Sequence, residues 1–426
     1  MKSVENWDWT PGKKIIADLS KWRAEYQAVY EFYTSPDGEQ IAAIVQDDEE
    51  SFTVCVNGAV WEQGFDKIWN LRFLPDGRTV ALVSDMAEWS VAIDGNPWEN
   101  KFEFAWNLQF SKETGSVTIA AQNARSYFAV TDDIPWESGF TSMNNLAISR
   151  DGKIAAAVIQ TTQLKEGDIF AFQKGCFTIA VNGTPWNNTF VNAWEIDISP
   201  DNRLVAAEVR RNLYDYTIVI NDEAWPNYFS AVWSPRFNPI DNSVTAPVKV
   251  AGGWTLAKDG EIFWNGRYAQ LWHHFYSKDG KKIAAIVAKQ FGKWTIAEND
   301  GPWELTFDEL VSDPVYSPDN RHLACTGKTD GKWYVAVDGK AWPTAFERIW
   351  PPVFSPEGDM VAAKVEINGK FAIAVNGKPI DITFSEAWNP VFSPDGSKLM
   401  INGIGTGEDE GKFCRYILET DKLPRK

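Results

Sequence analysis

Three histidines, four cysteines and 58 carboxylates are the side chains with which this 426-residue chain could do chemistry. Cys55, Cys176, Cys325 and Cys414 are scattered singly, with no C-x-x-C pair for zinc or an iron–sulfur cluster and no C-x-x-C-H for haem attachment. They read as small buried apolar residues. His273 and His274 are adjacent, so on a strand they point to opposite faces and cannot share a metal easily. The acidic stretch "NGIGTGEDEG" (402 to 411) lacks the ligand order of an EF-hand and reads as a solvated loop. There is no nucleophile elbow, no phosphate-binding glycine loop, no G-x-G-x-x-G and no H-E-x-x-H. No catalytic residue, metal ligand or cofactor site is therefore assigned, and the expectation is a protein without enzymatic activity. One hydrolytic route stays open, because two carboxylates brought together by folding leave no local motif.

Composition narrows the partners. A net charge of −17 with a pI near 4.8 repels phosphate backbones and anionic lipid heads, so nucleic acid is excluded as a partner. No stretch approaches the roughly 18 apolar residues of a spanning helix, and "MKSVENWDWTPGKK" has no apolar run after its first basic residue. The expected location is the cytoplasm, with the inner face of the cytoplasmic membrane as a peripheral site. With 44% hydrophobic residues the chain can bury a large core.

What could position such residues is a repeat. Anchored on the turn typified by Ser-Pro-Asp-Gly, equivalent positions fall at Ser35, Leu74, Ser111, Ser149, Ser199, Asn238, Ser277, Ser317, Ser355 and Ser393. The spacings are 39, 37, 38, 50, 39, 39, 40, 38 and 38 residues, a period that marks a stacked or circular array. In each unit a short strand ends in the anchor turn. An apolar run such as "IAAIVQ" follows, then an alternating run ending in Asn-Gly or Asp-Gly, then a short segment such as "NPWENKF". Asn-Gly and Asp-Gly favour tight hairpins because both positions tolerate positive φ. Four strands with no helical periodicity between them predict one blade of a β-propeller.

The expected fold is thus all-β, a single domain over 1–426 with about ten four-stranded blades, two smaller propellers being the alternative. The last unit supplies "KLMING" and "KFCRYILE" but no fourth strand. Trp22 lies 13 residues before Ser35, the offset of Trp61 from Leu74, so residues 14–34 are expected to complete the blade of 385–420 and close the ring. Closure would remove the exposed sheet edges of an open array.

Of the 22 tryptophans, 19 fall at three repeat positions. One set opens the first strands: Trp69, Trp106, Trp194, Trp233, Trp272, Trp350 and Trp388. Period two sets Trp69 on the face of Leu71 and Phe73, which predicts packing between blades. A competing reading makes these tryptophans a ring of aromatics at one mouth of the propeller, able to meet a sugar or a partner. The longest insertion, "TTQLKEGDIFAFQKG" at 161 to 175, projects between second and third strands and adds Leu164, Phe170 and Phe172 as candidate contact residues. Aspartates of the anchor turns have a local role, since Asp bonds its own backbone there.

The repeat "W-x-x-x-F-S-P-D-G", the "N-G-x-P-W" hairpin and the chain length together resemble the TmcD family, the tryptophan-rich subunits of the Tmc transmembrane electron-transfer complexes of sulfate-reducing bacteria. More broadly the "FSPDG" turns look like those of TolB-like and WD-repeat-like propellers. The resemblance implies a cofactor-free accessory subunit working by protein–protein interaction. Its implied partners are a multihaem cytochrome c, a membrane cytochrome b and an iron–sulfur protein. The alternative function is a carbohydrate- or peptide-binding propeller, with hydrolysis as one form of it.

Overall fold

The computed structural model describes residues 4–47, 51–164 and 167–425. Within these the regular elements are nearly all strands, arranged as successive antiparallel meanders of four strands. It divides into two compact units. One comprises Met1–Phe65, Leu71–Arg78 and Ile286–Lys426, the other Asp66–Asn70 and Thr79–Ala285.

The second unit contains four complete meanders, whose first strands are Phe104–Phe110, Met143–Ile148, Asn192–Ile198 and Arg236–Phe237. The first unit contains the meanders that begin at Ala28–Thr34 and Leu310–Tyr316, and a ten-stranded sheet in which two further meanders meet at the single bridge Phe371 to Phe384. In other sheets the equivalent bridge, such as Phe52 to Phe65 or Trp89 to Phe102, closes the fourth segment back on the third strand. This succession of sheets is propeller-type.

Two turn signatures recur from sheet to sheet. In six of the ten anchor turns, those of Ser35, Ser149, Ser199, Ser277, Ser317 and Ser393, the serine is buried, its hydroxyl donates to the aspartate two residues on, and it accepts the N–H five residues on. Ser149 does so with Asp151 at 2.7 Å and Ile154 at 3.0 Å, and Ser393 with Asp395 at 2.6 Å and Lys398 at 2.9 Å. The Asn-Gly and Asp-Gly hairpins have positive φ at both positions, for example 46° at Asn182 and 80° at Gly183. Their Asx side chains do a second job: Asn182 Oδ1 accepts the Ala155 N–H at 2.8 Å, where the second strand begins, and Asp338 does the same for Leu323 at 2.9 Å. The Asx signature thus ties two hairpins of one sheet together, while the serine signature locks the anchor turn itself.

Sheets stack through alanine- and valine-rich second strands. In the second unit Ala155, Ala157 and Ile159 pack on Ala120 and Ala129 of the preceding sheet. The fourth-segment tryptophan of one sheet lies over the hairpin glycine of the next: a Cβ on Gly183 would stand 3.1 Å from Trp136, and one on Gly377 3.3 Å from Trp342.

At the N-terminus, Gly12–Asp18 pairs antiparallel with Lys412–Glu419, from Gly12 opposite Ile417 to Asp18 opposite Lys412. Trp22 then sits under Gly58, the position its counterparts take under their own glycines, and packs with Leu19, Ile41, Val45 and Phe413. It does so from a short helix, Leu19–Glu25, that Asp18 caps through the Ser20 N–H. The strand that completes the last meander therefore lies just before Trp22. Ala28–Thr34 belongs instead to the following sheet, where it pairs with Ile41–Gln46.

Candidate functional site

The first strands do not alternate as the sequence suggests. From Trp106 to Gln109 the strand advances three residues, while its partner passes from Ala120 to Thr118. The same extra residue occurs between Val29 and Phe32, Asn144 and Ala147, Ala193 and Ile196, and Ser312 and Val315. This is a β-bulge, and in several sheets the residue after the tryptophan position takes positive φ: Asn70, Asn107, Asn145, His273 and Asp313. The bulge changes the phase, so Ile68 and Leu71 are both buried and Trp69 between them is 70% exposed. The expectation that Trp69 shares the face of Leu71 is corrected accordingly.

The seven predicted tryptophans then divide. Trp106 is half-buried against the following sheet and meets Tyr127 edge-on at 6.0 Å. Trp388 meets Phe413 edge-on at 5.5 Å, and Trp350 meets Phe371 at 5.4 Å. Trp194 stacks on Tyr216 at 6.1 Å, and Trp272 is half-buried. Trp233 stacks on Trp254 at 5.4 Å yet remains 46% exposed. Most therefore form first-to-third-strand aromatic pairs, and Trp69 and Trp233 present their rings to solvent.

The insertion after the second strand of its sheet is not a plain loop. Ile169–Lys174 forms a helix capped by Asp168, whose Oδ1 accepts the Ala171 N–H at 2.9 Å. Phe170 is 79% exposed, while Leu164 and Phe172 are half-buried. Residues 165 and 166 of this insertion lie outside the described residues. The hairpin joining second to third strands lies at the same end of a meander as the start of the first strand. Phe170 and the exposed tryptophans thus occupy equivalent ends of their sheets.

Other residues at these ends were missed from sequence. Tyr214 is 77% exposed at a second-to-third hairpin, Met86 and Phe291 hold the same place in their own sheets, and Phe104 is exposed at the start of a first strand. The available signal was apolar residues in hairpin tips, where polar turn formers are the rule. Arg211 lies over the ring of Tyr228 with 5.5 Å to its centroid and donates to its hydroxyl.

Electrostatics offer little chemistry at this surface. Lys364 lies 4.0 Å from the Trp350 ring centre and donates to the Ala387 carbonyl at 3.1 Å; burial pulls its ammonium down to about 8. All four cysteines are free and buried, and burial pushes the Cys55 thiol up to about 11. His273 is exposed, His274 is buried with Nε2 3.0 Å from the Thr245 carbonyl, and His322 Nδ1 lies 2.6 Å from Asp338. Among the described residues no three His, Cys, Asp or Glu side chains converge as a metal site would require, and no helix is long and apolar enough to cross a membrane. Asp409 of the acidic stretch pairs with Lys13.

No protein-family model matches the chain, and no curated protein matches it. Solved structures similar to it include a eukaryotic initiation factor, 12% identical over 88% of this chain and 97% of that one, with a TM-score of 0.47. The Dos1 propeller is 12% identical over 95% of both chains at a TM-score of 0.38. TolB from Acinetobacter baumannii is 14% identical over 73% of this chain and 78% of its own, at a TM-score of 0.31.

Proposed function

We propose that this chain is a cofactor-free, ten-bladed β-propeller acting as a docking scaffold in a membrane-associated electron-transfer complex. The observation that carries the scaffold reading is the set of exposed rings, Trp69, Phe170, Tyr214 and Trp233, at the ends of four sheets where first strands begin. Large rigid aromatics that can be desolvated are the usual anchors of protein interfaces. Ten blades and a closed ring are supported by the ten anchor turns and by the pairing of Gly12–Asp18 with the last strand. The tryptophan-rich repeat supports membership among the TmcD-like subunits. On that reading a multihaem cytochrome c, a membrane cytochrome b and an iron–sulfur protein carry the electrons, at the cytoplasmic face of the membrane. The test is a tagged chain expressed in its native host and purified from detergent-solubilised membranes. Haem and iron–sulfur absorbance should arrive with other polypeptides, and a Trp69→Ala, Phe170→Ala, Trp233→Ala triple variant should lose them. A colourless protein recovered alone from the soluble fraction overturns the assignment.

An indole as open as Trp69 also suits stacking on a sugar ring. Quenching of tryptophan fluorescence by an oligosaccharide, absent in Trp69→Ala, would favour the carbohydrate-binding alternative.

A further inference from the structure

The repeat is broken in one place in a chemically consistent way. Seven of the ten anchor turns carry proline directly after the anchor residue, and the other three carry Lys112, Arg150 and Lys278. Two residues before the anchor, the last three units have Val315, Val353 and Val391, whereas the three units just before them have Asp197, Arg236 and Phe275. Both kinds of departure meet in the second unit. There a cavity of about 590 Å³ is bounded by first strands and anchor turns of five successive sheets.

Arg150, Arg236 and Lys278 line this cavity, with Asp197 as the one carboxylate, so its wall carries a net charge of +2 (three cations less one anion) on a chain of −17. Asp197 is already engaged: its Oδ2 accepts the Phe237 N–H at 2.8 Å and its Oδ1 lies 3.9 Å from Arg236 Nη1. Burial raises its carboxyl pKa, against the pull of Arg236, so this one negative charge is less firmly held than that of an exposed aspartate. Apolar wall is supplied by Ile148, Ile198, Phe237 and Phe275. The volume lies within the ordinary range of small-molecule sites, and a recess lined by one sign of charge concentrates counter-ions. Guanidinium groups match the paired oxygens of carboxylate or phosphate.

We infer that this cavity binds a small organic polyanion, a compact carbon frame bearing at least two oxyanion groups, held by Arg150, Arg236 and Lys278 against the Phe237 and Phe275 wall. The inference is independent of the scaffold reading, which concerns the other ends of the sheets.

The test is titration calorimetry on the full chain with a hexose bisphosphate, with citrate and with the neutral hexose. At least one anion should bind, more weakly as salt rises, while the neutral sugar gives no heat; the tighter anion tells phosphate ester from polycarboxylate. Arg150→Pro with Lys278→Pro restores the residue that most repeats use and suits the second position of these turns, closed by Gly152 N–H to Ser149 O at 3.0 Å and Gly280 N–H to Ser277 O at 2.9 Å. This double variant should unfold at an unchanged temperature and bind about tenfold or more weakly. Asp197→Asn should act oppositely and tighten binding severalfold. No heat with either anion, or heat unchanged in the double variant, overturns the proposal.

Discussion

Arg415 Nη2 donates to the backbone carbonyl of Asp8 at 2.6 Å, joining two residues 407 apart in sequence. The side chain is 2% exposed. Its Nε donates to the Asp37 carbonyl at 2.8 Å, and Nη1 lies 3.4 Å from Glu39 Oε1. One buried guanidinium thus ties the strand Lys412–Glu419, the N-terminal segment and the first anchor turn together.

Removing it should be costly. Arg415→Ala leaves two carbonyls and a carboxylate without their donor in a partly buried setting, which costs about 2–3 kcal/mol. Urea unfolding would check this, and a loss below about 1 kcal/mol would mean that water replaces the guanidinium. Deleting residues 1–18 should go further, since Lys412–Glu419 would become a bare sheet edge, and light scattering should report aggregation.

Tryptophans of equal size should differ widely in what they stabilise. Trp22 is 3% exposed and packed among Leu19, Ile41 and Phe413, so Trp22→Ala should cost about 3–5 kcal/mol. Trp69 makes no such core, and Trp69→Ala should stay within about 0.5 kcal/mol. Equal losses by thermal unfolding would contradict the exposure of Trp69.

The contrast shows which parts of the fold were legible. The period, the strand order and the turn types were readable because Asn-Gly, Asp-Gly and Ser-Pro-Asp act locally, through φ and through bonds to neighbouring N–H groups. Trp22 was recognised by its offset, but not as part of a helix, because seven residues are too few to show a helical period. The bulge was hidden for a different reason. An Asn after a Trp looks like the polar half of an alternation, and only pairing with the second strand reveals that Asn107 is an extra residue. Exposure of Trp69 and the cavity around Arg150 follow from tertiary geometry. The basic residues at the proline position were visible in the alignment of the repeats, but the face they occupy was not.

The hairpin Asx residues test whether those local signals act as described. Asn182 combines φ of 46° with an accepted bond from Ala155 N–H and a donated bond to the Lys153 carbonyl at 3.2 Å. Asn182→Ala should cost about 1–2 kcal/mol, from the left-handed backbone and the orphaned N–H together. Asn182→Asp should be nearly neutral, because Asp132 caps Val117 at 2.8 Å in the sheet before it. If Ala and Asp variants melt alike, the cap contributes nothing.

The pH dependence should have two limbs of opposite sign. The anchor-turn carboxylates are held low: Asp395 falls to about 2, and Asp201 and Asp279 shift the same way, chiefly through the serine hydroxyl that donates to each, while Asp151 is lowered first by the Lys153 N–H and then by Ser149. A group whose folded pKa is depressed gives stability above its unfolded value, about 3.9, and loses it as the pH falls toward the folded value. Stability should therefore drop below about pH 4. Glu208 works in reverse. It is 6% exposed in the middle of a second strand, and burial, with the nearby Glu195 carboxylate adding to it, pushes its carboxyl up to about 8. The native state then binds a proton that the unfolded chain releases near pH 4.5. That contribution is intact below about 4.5 and is lost as the pH rises through about 8, by on the order of 5 kcal/mol at 1.36 kcal/mol per pH unit. Glu208→Gln removes the titration and keeps a neutral amide of the same shape, so it should unfold at higher urea than the parent at pH 8 and at similar urea at pH 5. Parallel urea midpoints across that interval would show that Glu208 stays ionised in the folded sheet.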